Sequence, residues 1–552
     1  MIRVPKIVIP RFVIYIKFIG LTDCQCVDLG LLRFQKGLER RMDKAVLQLT
    51  PGLTPFLGYS LLIGLGLVTL IVAIMIRRTL VHSTHDFIIS ARRIGFGFGV
   101  GSVISVWTWS MAVMMTSGMT FQWGLSGLFW FVVPNGLAIM MLIPFTRVLR
   151  SRMPHGYTIS EFAKNRFKQS GVAWSMITIT MIFGIILEIL INLKGLSVVM
   201  TTVFGIDWTY AAAVGLLAVL IYSYFGGLWT SVMTATVNLL MITVPSGIIV
   251  ALVFDVIPGG ASAVIEGVRA ADPQNLSVLR WDAAAGFGIT LAFGHFAAAI
   301  ADQTLWQKAW AIKSEYVNRT FLWAGALFYP IPIALGVLGL VGIAYGLNLQ
   351  DIGGDTAAIG PYIVSHLGLP LIVVVVFALM ILAACYSTID GASSALSSIV
   401  AVDIVKRFAP NTTERVLFVL TKASIIAGGF IALAVVLSGI DFTTLVLTTY
   451  ALKSAVLLPL MLAILWRRTN TSGFVSGIAL AATVGMGIRH FYGDLIGTIS
   501  IISISGLTVV ICAFLKPERF DYTSLKQAGA RLDERADDDD EIDAALVPQA
   551  IS

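Results

Sequence analysis

The chain has 552 residues, of which 57% are hydrophobic and only 12% are charged. Soluble domains are about 45–50% apolar and about 25% charged, so this composition excludes a soluble protein and indicates an integral membrane protein. The formal net charge of +7 does not require an acidic partner such as a nucleic acid, because the cytoplasmic loops of membrane proteins collect Lys and Arg.

The first segment, residues 1–54, is predicted to be an extension that precedes the membrane domain. Its apolar runs are too interrupted to span a bilayer or to form a standard signal peptide. The interrupting residues are Arg3, Lys6, Arg11 and Lys17. Met42 is therefore an alternative start, and N-terminal sequencing of the native protein that began at Met1 would contradict it.

Thirteen apolar segments have the length of about 20 residues that a spanning helix needs. We predict spans at residues 57–76, 95–118, 126–145, 171–200, 208–227, 230–257, 284–307, 320–346, 363–402, 414–438, 442–466, 472–488 and 495–515. The four cysteines have neither metal-ligand spacing nor a disulfide framework, and we interpret them as incidental.

Basic residues alternate between the loops that join these spans. One set of loops contains Arg77, Arg78, Arg92, Arg93, Arg147, Arg150, Arg152, Lys164, Arg166, Lys168, Lys308, Lys313, Arg319, Lys406, Arg407, Arg415, Arg467 and Arg468. The opposite set contains only Arg269, Arg280 and Arg489. By the positive-inside rule, the N-terminus lies outside and the C-terminus in the cytoplasm of a multi-pass protein of the cell membrane. Residues 516–552 then form a cytoplasmic tail, whose acidic run at 534–541 favours a solvated, disordered segment over a metal site.

The second predicted helix contains polar residues at mid-depth. Its glycine-rich start, residues 95–102, lacks the spacing of a nucleotide-binding loop and favours close helix packing. The helix continues through Ser105 to Trp107-Thr108-Trp109. Because a buried indole N–H needs a partner, Trp107 and Trp109 are either structural or line a polar cavity that receives a substrate.

The helix at 284–307 is the second one that polar residues and glycines interrupt, and it opens the second set of five helices counted from Gly95. Interrupted helices at matching positions of two halves are typical of transporters with inverted repeats. His295 is a candidate substrate contact, with Phe296 beside it, although a histidine on an apolar helix is more often an internally bonded core residue. Asp302 and Gln303 fit either a gate or a solvated helix end.

Other charged residues inside the predicted spans are functional candidates, because charge is costly there. Glu188 and Asn192 are four residues apart and share a helix face. Lys194 and Lys422 can extend to the membrane interface, so we favour Glu188 and Lys453 as gating or coupling residues.

Residues 384–391 combine adjacent hydroxyl groups and a carboxylate inside an apolar helix. Ser387, Thr388 and Asp390 are costly at that depth unless their oxygens have a partner. Hard cations such as sodium prefer oxygen ligands. The stretch therefore predicts a cation site, with Asp390 as a further gating or coupling candidate.

Three motifs resemble those of the sodium:solute symporter family. They are the aromatic-Gly-Gly turn at residues 224–229, Asp302-Gln303 with Gln307-Lys308, and Ser387-Thr388-x-Asp390. The resemblance covers about residues 55–515 and implies an all-α polytopic membrane protein of about 13 helices, with a LeuT-type core of two inverted five-helix repeats. Trp107-Thr108-Trp109 and residues 124–131 resemble the urea active transporter branch in particular.

The resemblance also implies a sodium site. Its ligands would be the backbone carbonyls of Ser105, Thr108 and Ala384 together with the hydroxyls of Ser387 and Thr388. These groups supply about five oxygens without a full negative charge, which suits sodium.

Three positions carry further implications of the resemblance. His295 falls where sugar-transporting members have a substrate contact. Ala235 stands where many members have an aspartate that is thought to assist ion release, and Val106 stands where the urea branch usually has glutamine. The last two differences weaken the inference of ion coupling and of urea as the solute.

The sequence predicts a sodium-coupled symporter that imports a small polar solute, with urea as a candidate, by alternating access. Sodium is then a coupling ion rather than a prosthetic group, and the partners are the solute, the ion and the lipid bilayer. A proton-coupled symporter or a passive facilitator of the same fold is the alternative that Ala235 favours. A transporter-like sensor fits less well because the segment after Lys516 is too short for a signalling domain, and an enzyme is not expected because no nucleotide loop or metal-binding cluster occurs.

Overall fold

The computed structural model describes residues 47–439 and 442–528, and nearly all of them are helical. The helices used below are α1 (Pro55–Leu80), α2 (Thr84–Ile89), α3 (Phe96–Trp107), α4 (Ser110–Trp123), α5 (Leu125–Arg152), α6 (Ile159–Arg166), α7 (Gly171–Phe204), α8 (Trp208–Val256), α9 (Gly260–Ala271), α10 (Trp281–Ile300), α11 (Gln303–Ala311), α12 (Val317–Ala344), α13 (Ile359–His366), α14 (Leu371–Phe408), α15 (Glu414–Val436), α16 (Phe442–Leu465) and α17 (Thr471–Leu515). The predicted extension up to residue 46 and the acidic run near the C-terminus lie outside the described residues.

The described helices account for the thirteen predicted spans. Ten helices are long and apolar enough to cross a membrane, and the bent pair of α3 and α4 forms an eleventh span. Two of the ten are too long for one crossing, because α8 has 49 residues and α17 has 45, whereas a hydrocarbon core is about 30 Å thick and a helix rises about 1.5 Å per residue. Each contains one glycine with non-helical torsions, Gly227 (φ 54°) in α8 and Gly493 (φ 84°) in α17, which divides it into two spans.

The last hairpin shows this division directly. A Cβ added at Gly485 would lie 2.6 Å from Ile501 Cγ1, and one added at Gly497 would lie 2.3 Å from Arg489 Cβ. Both pairs are symmetric about Gly493, so the chain reverses there and the two arms pack closely. The positive φ of Gly493 is a conformation that other residues adopt only under strain.

One helical path is interrupted near its middle, and in a second the 20-residue α10 is followed, after a break, by the nine-residue α11. The helical path ends at Thr108 (ψ 68°) and Trp109 (ψ 164°) between α3 and α4. It ends again at Ala301 (ψ 41°) and Asp302 (ψ 105°) between α10 and α11. These are the first and sixth helices of the predicted repeats, so the two expected interruptions are present. Neither break falls on the glycines that suggested the interruptions. These glycines instead allow close packing between helices. A Cβ at Gly101 would lie 2.8 Å from Thr236 Oγ1, and a Cβ at Gly294 would lie 2.4 Å from the Tyr450 ring.

Helix α14 lies at the centre of the molecule. Every residue from Met380 to Ile399 is buried, so this helix is covered by protein on all sides through twenty consecutive positions. The Tyr222 hydroxyl on α8 donates to the Tyr386 carbonyl (3.0 Å), and the Tyr386 hydroxyl donates to the Leu62 carbonyl on α1 (2.9 Å). The predicted cation-binding residues therefore lie in the interior of the helix assembly.

The first part of the predicted tail is packed rather than disordered. A 3-10 helix spans Tyr522–Gln527, and the Tyr522 hydroxyl donates to the Ala463 carbonyl at the end of α16 (2.9 Å). Arg166 of α6 donates to the same carbonyl (3.1 Å) and lies over the Phe520 ring at 4.4 Å. Burial in this junction, outside the spans, lowers the pKa of the Arg166 guanidinium below its ordinary value. The aromatic residues of this segment explain why it folds back onto the helix ends.

The hairpin of α17 gives a stability test with a matched control. Gly485→Ala should lower the melting temperature in detergent, because the new Cβ would lie 3.0 Å from the Ile501 Cα, and overpacking against backbone costs about 1–3 kcal/mol. Gly487→Ala, two residues along, meets nothing within 4 Å and should leave the melting temperature unchanged or slightly raised. Equal melting temperatures for the two variants would contradict the close pairing of these arms.

Candidate functional site

The break between α3 and α4 is held in place by α7. The Ser110 N–H donates to Asn192 Oδ1 (2.9 Å), and Asn192 Nδ2 donates to the Glu188 carbonyl one turn earlier (2.8 Å). A backbone donor freed inside a membrane has no water to bond, so it requires a partner within the protein. Asn192 supplies that partner, which explains an amide in the middle of an apolar helix.

The hydroxyls of α14 lie directly against the end of α3. Ser387 Oγ is 2.7 Å from Ser105 Oγ. Thr388 Oγ1 donates to the Val106 carbonyl (3.3 Å) and to the Ala384 carbonyl (3.1 Å). The helices can approach this closely because residue 391 is glycine. A Cβ at this position would lie only 2.7 Å from Val106 Cγ2. Residues 105 and 387, which are 282 positions apart, are thus in direct contact.

The chemistry of this junction suits sodium. Because α3 ends at Trp107, the carbonyls of its last turn lack the N–H partners that a continuing helix would provide. The Thr108 hydroxyl donates to the Ile104 carbonyl (2.7 Å), so it is already bonded within this turn. From α14, the Thr388 hydroxyl donates to the Val106 carbonyl, and the Ser387 hydroxyl contacts that of Ser105. Four of the five predicted ligand residues therefore meet at one junction of two helices, namely Ser105, Ala384, Ser387 and Thr388, and Thr108 follows at the end of α3.

The two tryptophans of the break have different surroundings. Trp107 Nε1 donates to Asn135 Oδ1 on α5 (2.6 Å), which matches a structural role. Trp109 is equally buried, yet its Nε1 has no hydrogen-bond partner among the described residues. Of the two interpretations of the sequence, the structural one fits Trp107, while the lining of a polar cavity by Trp109 stays a prediction.

His295 lies on α10 between two aromatic rings. Its Nδ1 is 3.1 Å from the Tyr450 hydroxyl of α16, and the Phe131 ring of α5 meets its face edge-on with centroids 5.4 Å apart. The other ring nitrogen, Nε2, has no partner within the described part of the chain. Phe296 is half-buried beside it. His295 is thus internally bonded through Nδ1, and because its Nε2 is buried without a partner among the described residues, its role as a substrate contact stays a prediction.

Glu188 and Lys453 form a buried ion pair between α7 and α16. Their side chains are 3% and 2% exposed, and the ammonium also lies 5.5 Å from the centroid of the Trp109 ring. Lys194 instead lies over Trp208 at 5.5 Å, and Lys422 lies over Tyr224 at 4.5 Å. The two charges that the sequence favoured therefore meet beside the break, and their role in gating or coupling stays a prediction.

Asp302 and Gln303 occupy the second break. Asp302 is 1% exposed and caps α11 by accepting from the Thr304 N–H (2.7 Å), which excludes a solvated helix end. Gln303 accepts from the Ile159 N–H (3.0 Å) and donates to the Tyr157 carbonyl (3.1 Å). The second break is thereby tied to the start of α6 and the residues before it, and the gate role of Asp302 and Gln303 stays a prediction.

Several partners of these residues were not identified from the sequence. They are Asn135, Ser223 and Tyr450. Ser223 Oγ donates to Asp390 Oδ1 (2.5 Å). Lys308, which the sequence analysis assigned to a basic loop, is instead fully buried within α11. Asn135 was detectable as an amide inside an apolar span. Ser223 and Tyr450 were hidden because their partners are distant along the chain.

The fold is that of a polytopic membrane transporter in which helical paths are broken in the protein interior. The sodium:solute symporter family matches residues 87–481, and the chain belongs to this family. The match confirms the predicted family, whose members are transporters and not enzymes.

Curated relatives are urea transporters of low identity. The chain is 22% identical over 536 residues to the urea-proton symporter DUR3 of Oryza sativa subsp. japonica, covering 86% of this chain and 73% of that protein. It is also 22% identical over 539 residues to the probable urea active transporter 1 of Schizosaccharomyces pombe, covering 86% and 79%.

Solved structures confirm the LeuT-type fold. A Na+-coupled sialic acid symporter in a substrate-bound outward-open state superposes with a TM-score of 0.69 at 20% identity, covering 84% of this chain and 98% of that one. Mhp1, a nucleobase-cation-symport-1 family transporter, gives a TM-score of 0.50 at 13% identity, covering 80% and 98%. At these identities the similarity concerns the fold alone.

The buried ion pair gives a stability prediction. Glu188→Ala should destabilise the protein by about 3–5 kcal/mol, because it leaves the Lys453 ammonium buried without its partner. The double variant Glu188→Ala with Lys453→Met should recover much of the loss. Thermal unfolding in detergent measures both, and Lys194→Met, which removes a half-buried cation from the same helix, is the control. Equal losses in the single and double variants would contradict the pairing.

Proposed function

We propose that this protein is a sodium-coupled symporter that imports a small, uncharged polar solute. The observation that carries the proposal is the junction of α3 and α14, where Ser387 and Thr388 face the carbonyls at the end of a helix broken inside the membrane. Membership of the symporter family supports the general activity. The sodium ligands are the carbonyls of Ser105, Thr108 and Ala384 and the hydroxyls of Ser387 and Thr388.

Coupling follows from the position of these ligands on two separate helices. A bound ion bridges the break of α3 to α14 and stabilises the conformation in which the two are together. When they separate, the ion loses half of its ligands and its affinity falls. The ion and the solute both bind this conformation more tightly than the separated conformation. Each therefore favours the binding of the other, which is the thermodynamic requirement for symport.

The orientation that we propose places the N-terminus outside and the C-terminus in the cytoplasm of the cell membrane. The alternation of basic residues between the predicted loops supports this orientation, and the segment Tyr522–Gln527 packs beside Arg166, which belongs to the basic set. The positive-inside rule assigns the loops of that set to the cytoplasm.

The solute site that we propose lies between the two breaks, beside Trp109 and His295, with Trp107 and Phe296 as flanking contacts. The indole Nε1 and the imidazole Nε2 offer hydrogen bonds to a polar molecule. The adjacent charges of Glu188 and Lys453 neutralise each other, so the region favours an uncharged solute. Urea satisfies these conditions and is the substrate that the relatives' names suggest.

Proton coupling is the second candidate. It is favoured by the name of the rice relative, a urea-proton symporter, and by Ala235, which is buried at the position where many family members have a carboxylate. The two candidates predict different driving forces for accumulation of the solute. Sodium coupling requires a sodium gradient at constant pH, whereas proton coupling requires a proton gradient at constant sodium concentration.

The sodium ligands are tested by Ser387→Ala combined with Thr388→Ala. The double variant should lose sodium-stimulated urea uptake by proteoliposomes, because two of the five proposed oxygens are removed while the helix is kept. Ser397→Ala is the matched control, since its buried hydroxyl bonds only within α14, to the Ser394 carbonyl (2.7 Å). Unchanged sodium dependence in the double variant would contradict the site.

The substrate is tested by thermal-shift measurements with urea, short carboxylates, amino acids and sugars, each with and without sodium. A ligand that binds the native state raises its melting temperature, and urea at millimolar concentration should do so more strongly when sodium is present. A larger sodium-dependent shift with a charged amino acid than with urea would contradict an uncharged solute.

A further inference from the structure

Lys422 is a basic residue inside a membrane-spanning helix, and the proposed transport cycle does not use it. It lies on α15, about two turns after the start of the helix. Its ammonium lies 4.5 Å from the centroid of the Tyr224 ring on α8 and 4.5 Å from that of Phe418. Because Phe418 is one turn nearer the helix start, the side chain extends toward the membrane surface. A charge at this depth is costly, so a role that requires it has to be considered.

Arg77 is a second cation at the same aromatic ring. Its guanidinium, in the last turn of α1, lies 5.3 Å from the Phe418 centroid and donates to the Val81 carbonyl. Aromatic faces attract cations and hold them in place without neutralising their charge. Neither Lys422 nor Arg77 forms an ion pair with another described residue. Two positive charges therefore lie around one ring without an acidic partner from the described part of the chain.

An apolar groove between α8 and α15 begins at these cations. Its volume is about 280 Å³, and Tyr224 belongs both to its lining and to the surroundings of Lys422. The other lining residues include Leu217, Leu220 and Ile221 of α8 and Ile426 and Phe430 of α15. The two helices close the floor of the groove at Gly429, where an added Cβ would lie 2.8 Å from Leu220 Cδ1. Ile221 and Phe430 are 49% and 50% exposed, so the groove opens toward the acyl chains of the membrane.

One face of α15 changes from basic to apolar along the helix. At 3.6 residues per turn, positions 415, 422 and 426 lie within about 40° of one another, so Arg415, Lys422 and Ile426 share this face. The basic end is at the same side of the membrane as the end of α1, because the Thr84 N–H donates to Glu414 Oε1 (2.7 Å). Basic residues near the membrane surface followed by an apolar groove match the layout of a phospholipid with an anionic headgroup.

We propose that the groove between α8 and α15 binds one anionic phospholipid, with an acyl chain in the groove and the phosphate at Lys422 and Arg77. The helix rises about 12 Å from Lys422 to Phe430, which is most of the roughly 15 Å that the hydrocarbon of one leaflet occupies. Arg415 lies at the rim of the site, beside the headgroup. In the orientation proposed above, this lipid belongs to the cytoplasmic leaflet.

Charge complementarity selects the headgroup. Each basic residue near the surface favours an anionic lipid by about fivefold in affinity, so the two cations together favour it by about 25-fold. A zwitterionic headgroup brings its own positive charge and gains less from them. The apolar groove contributes to the binding of both kinds of lipid, because it contacts only the acyl chain.

The test is lipid binding by the purified full-length protein in detergent, with bound lipids counted by native mass spectrometry. Dioleoyl phosphatidylglycerol and dioleoyl phosphatidylcholine are titrated separately, since they have the same acyl chains. The wild-type protein should bind one phosphatidylglycerol about 25-fold more tightly than phosphatidylcholine. Lys422→Gln and Arg77→Gln should each weaken phosphatidylglycerol binding about fivefold and leave phosphatidylcholine binding unchanged.

Further variants separate the headgroup from the groove. Lys422→Arg keeps the charge and should keep the preference for phosphatidylglycerol. Ile221→Trp fills part of the groove from a side chain that faces lipid, and it should weaken both lipids by the same factor. Lys194→Gln is the matched control, because it removes another cation that lies over an aromatic ring, that of Trp208 at 5.5 Å. It should leave both affinities unchanged.

A phosphatidylglycerol of short chains tests the source of the phosphate. Dihexanoyl phosphatidylglycerol has the same headgroup but little chain to bury, so it should bind far more weakly than the dioleoyl lipid. Equal binding of the two would assign the cations to a soluble phosphate compound and overturn the lipid site. If Lys422→Gln does not fold, Arg77→Gln at the end of α1 gives an independent measurement of the same preference.

Three other outcomes would overturn the proposal. They are equal affinity of the wild-type protein for the two dioleoyl lipids, an unchanged preference in folded Lys422→Gln and Arg77→Gln, and an equal loss in Lys194→Gln. Several phosphatidylglycerol molecules bound with the same affinity would likewise indicate only the general lipid shell. None of these measurements involves sodium or urea, so their outcome is independent of the proposed transport function.

Discussion

The hydrogen-bonding requirement of two helices broken inside a membrane is the constraint on which the rest of the structure depends. A break frees backbone N–H and C=O groups where no water can bond them, so neighbouring helices must supply partners. Asn192 meets this requirement at the first break and the carboxylate of Asp302 meets it at the second. Carbonyls at the end of α3 lack the N–H donors that a continuing helix would provide. A small hard cation can bind such oxygens in place of those donors.

The polar residues of the interior form a connected arrangement around these breaks. Helix α16 contacts the second break region through Tyr450 and His295, and the first through Lys453 and Trp109. Lys453 is in turn paired with Glu188, whose carbonyl accepts from the Asn192 amide. A movement of α16 relative to α7 would therefore disturb the ion pair and both breaks together. This arrangement gives the proposed alternating access a physical basis, since the proposed substrate and ion sites share the same supports.

Much of the architecture could be predicted from the sequence, because in a membrane each span must be apolar and long. The thirteen spans, the cation-binding prediction for residues 384–391 inside an apolar helix and the choice of Glu188 and Lys453 as the favoured charges follow from that rule. The breaks could be assigned to the right helices but not to Thr108–Trp109 and Ala301–Asp302, since neither contains glycine or proline and their torsions are set by contacts with other helices. The nearby glycines serve helix packing instead.

The partners of the site residues were beyond prediction for the same reason. Tyr450 lies 155 positions from His295, and Ser223 lies 167 positions from Asp390. A pattern in one helix does not show which distant helix faces it. The tail shows a related effect: composition indicated disorder from residue 516, whereas Phe520 and Tyr522 pack against Arg166 over the first part of that segment. A few aromatic residues with a buried cationic partner were enough to order it.

The most direct test of the central claim is uptake of radioactive urea by proteoliposomes that contain the wild-type protein, with an inward sodium gradient and equal pH on both sides. The account predicts that urea accumulates above its external concentration and that replacing sodium by potassium abolishes the accumulation. Accumulation that is indifferent to sodium but driven by an inward proton gradient would contradict it, and would assign the coupling to protons.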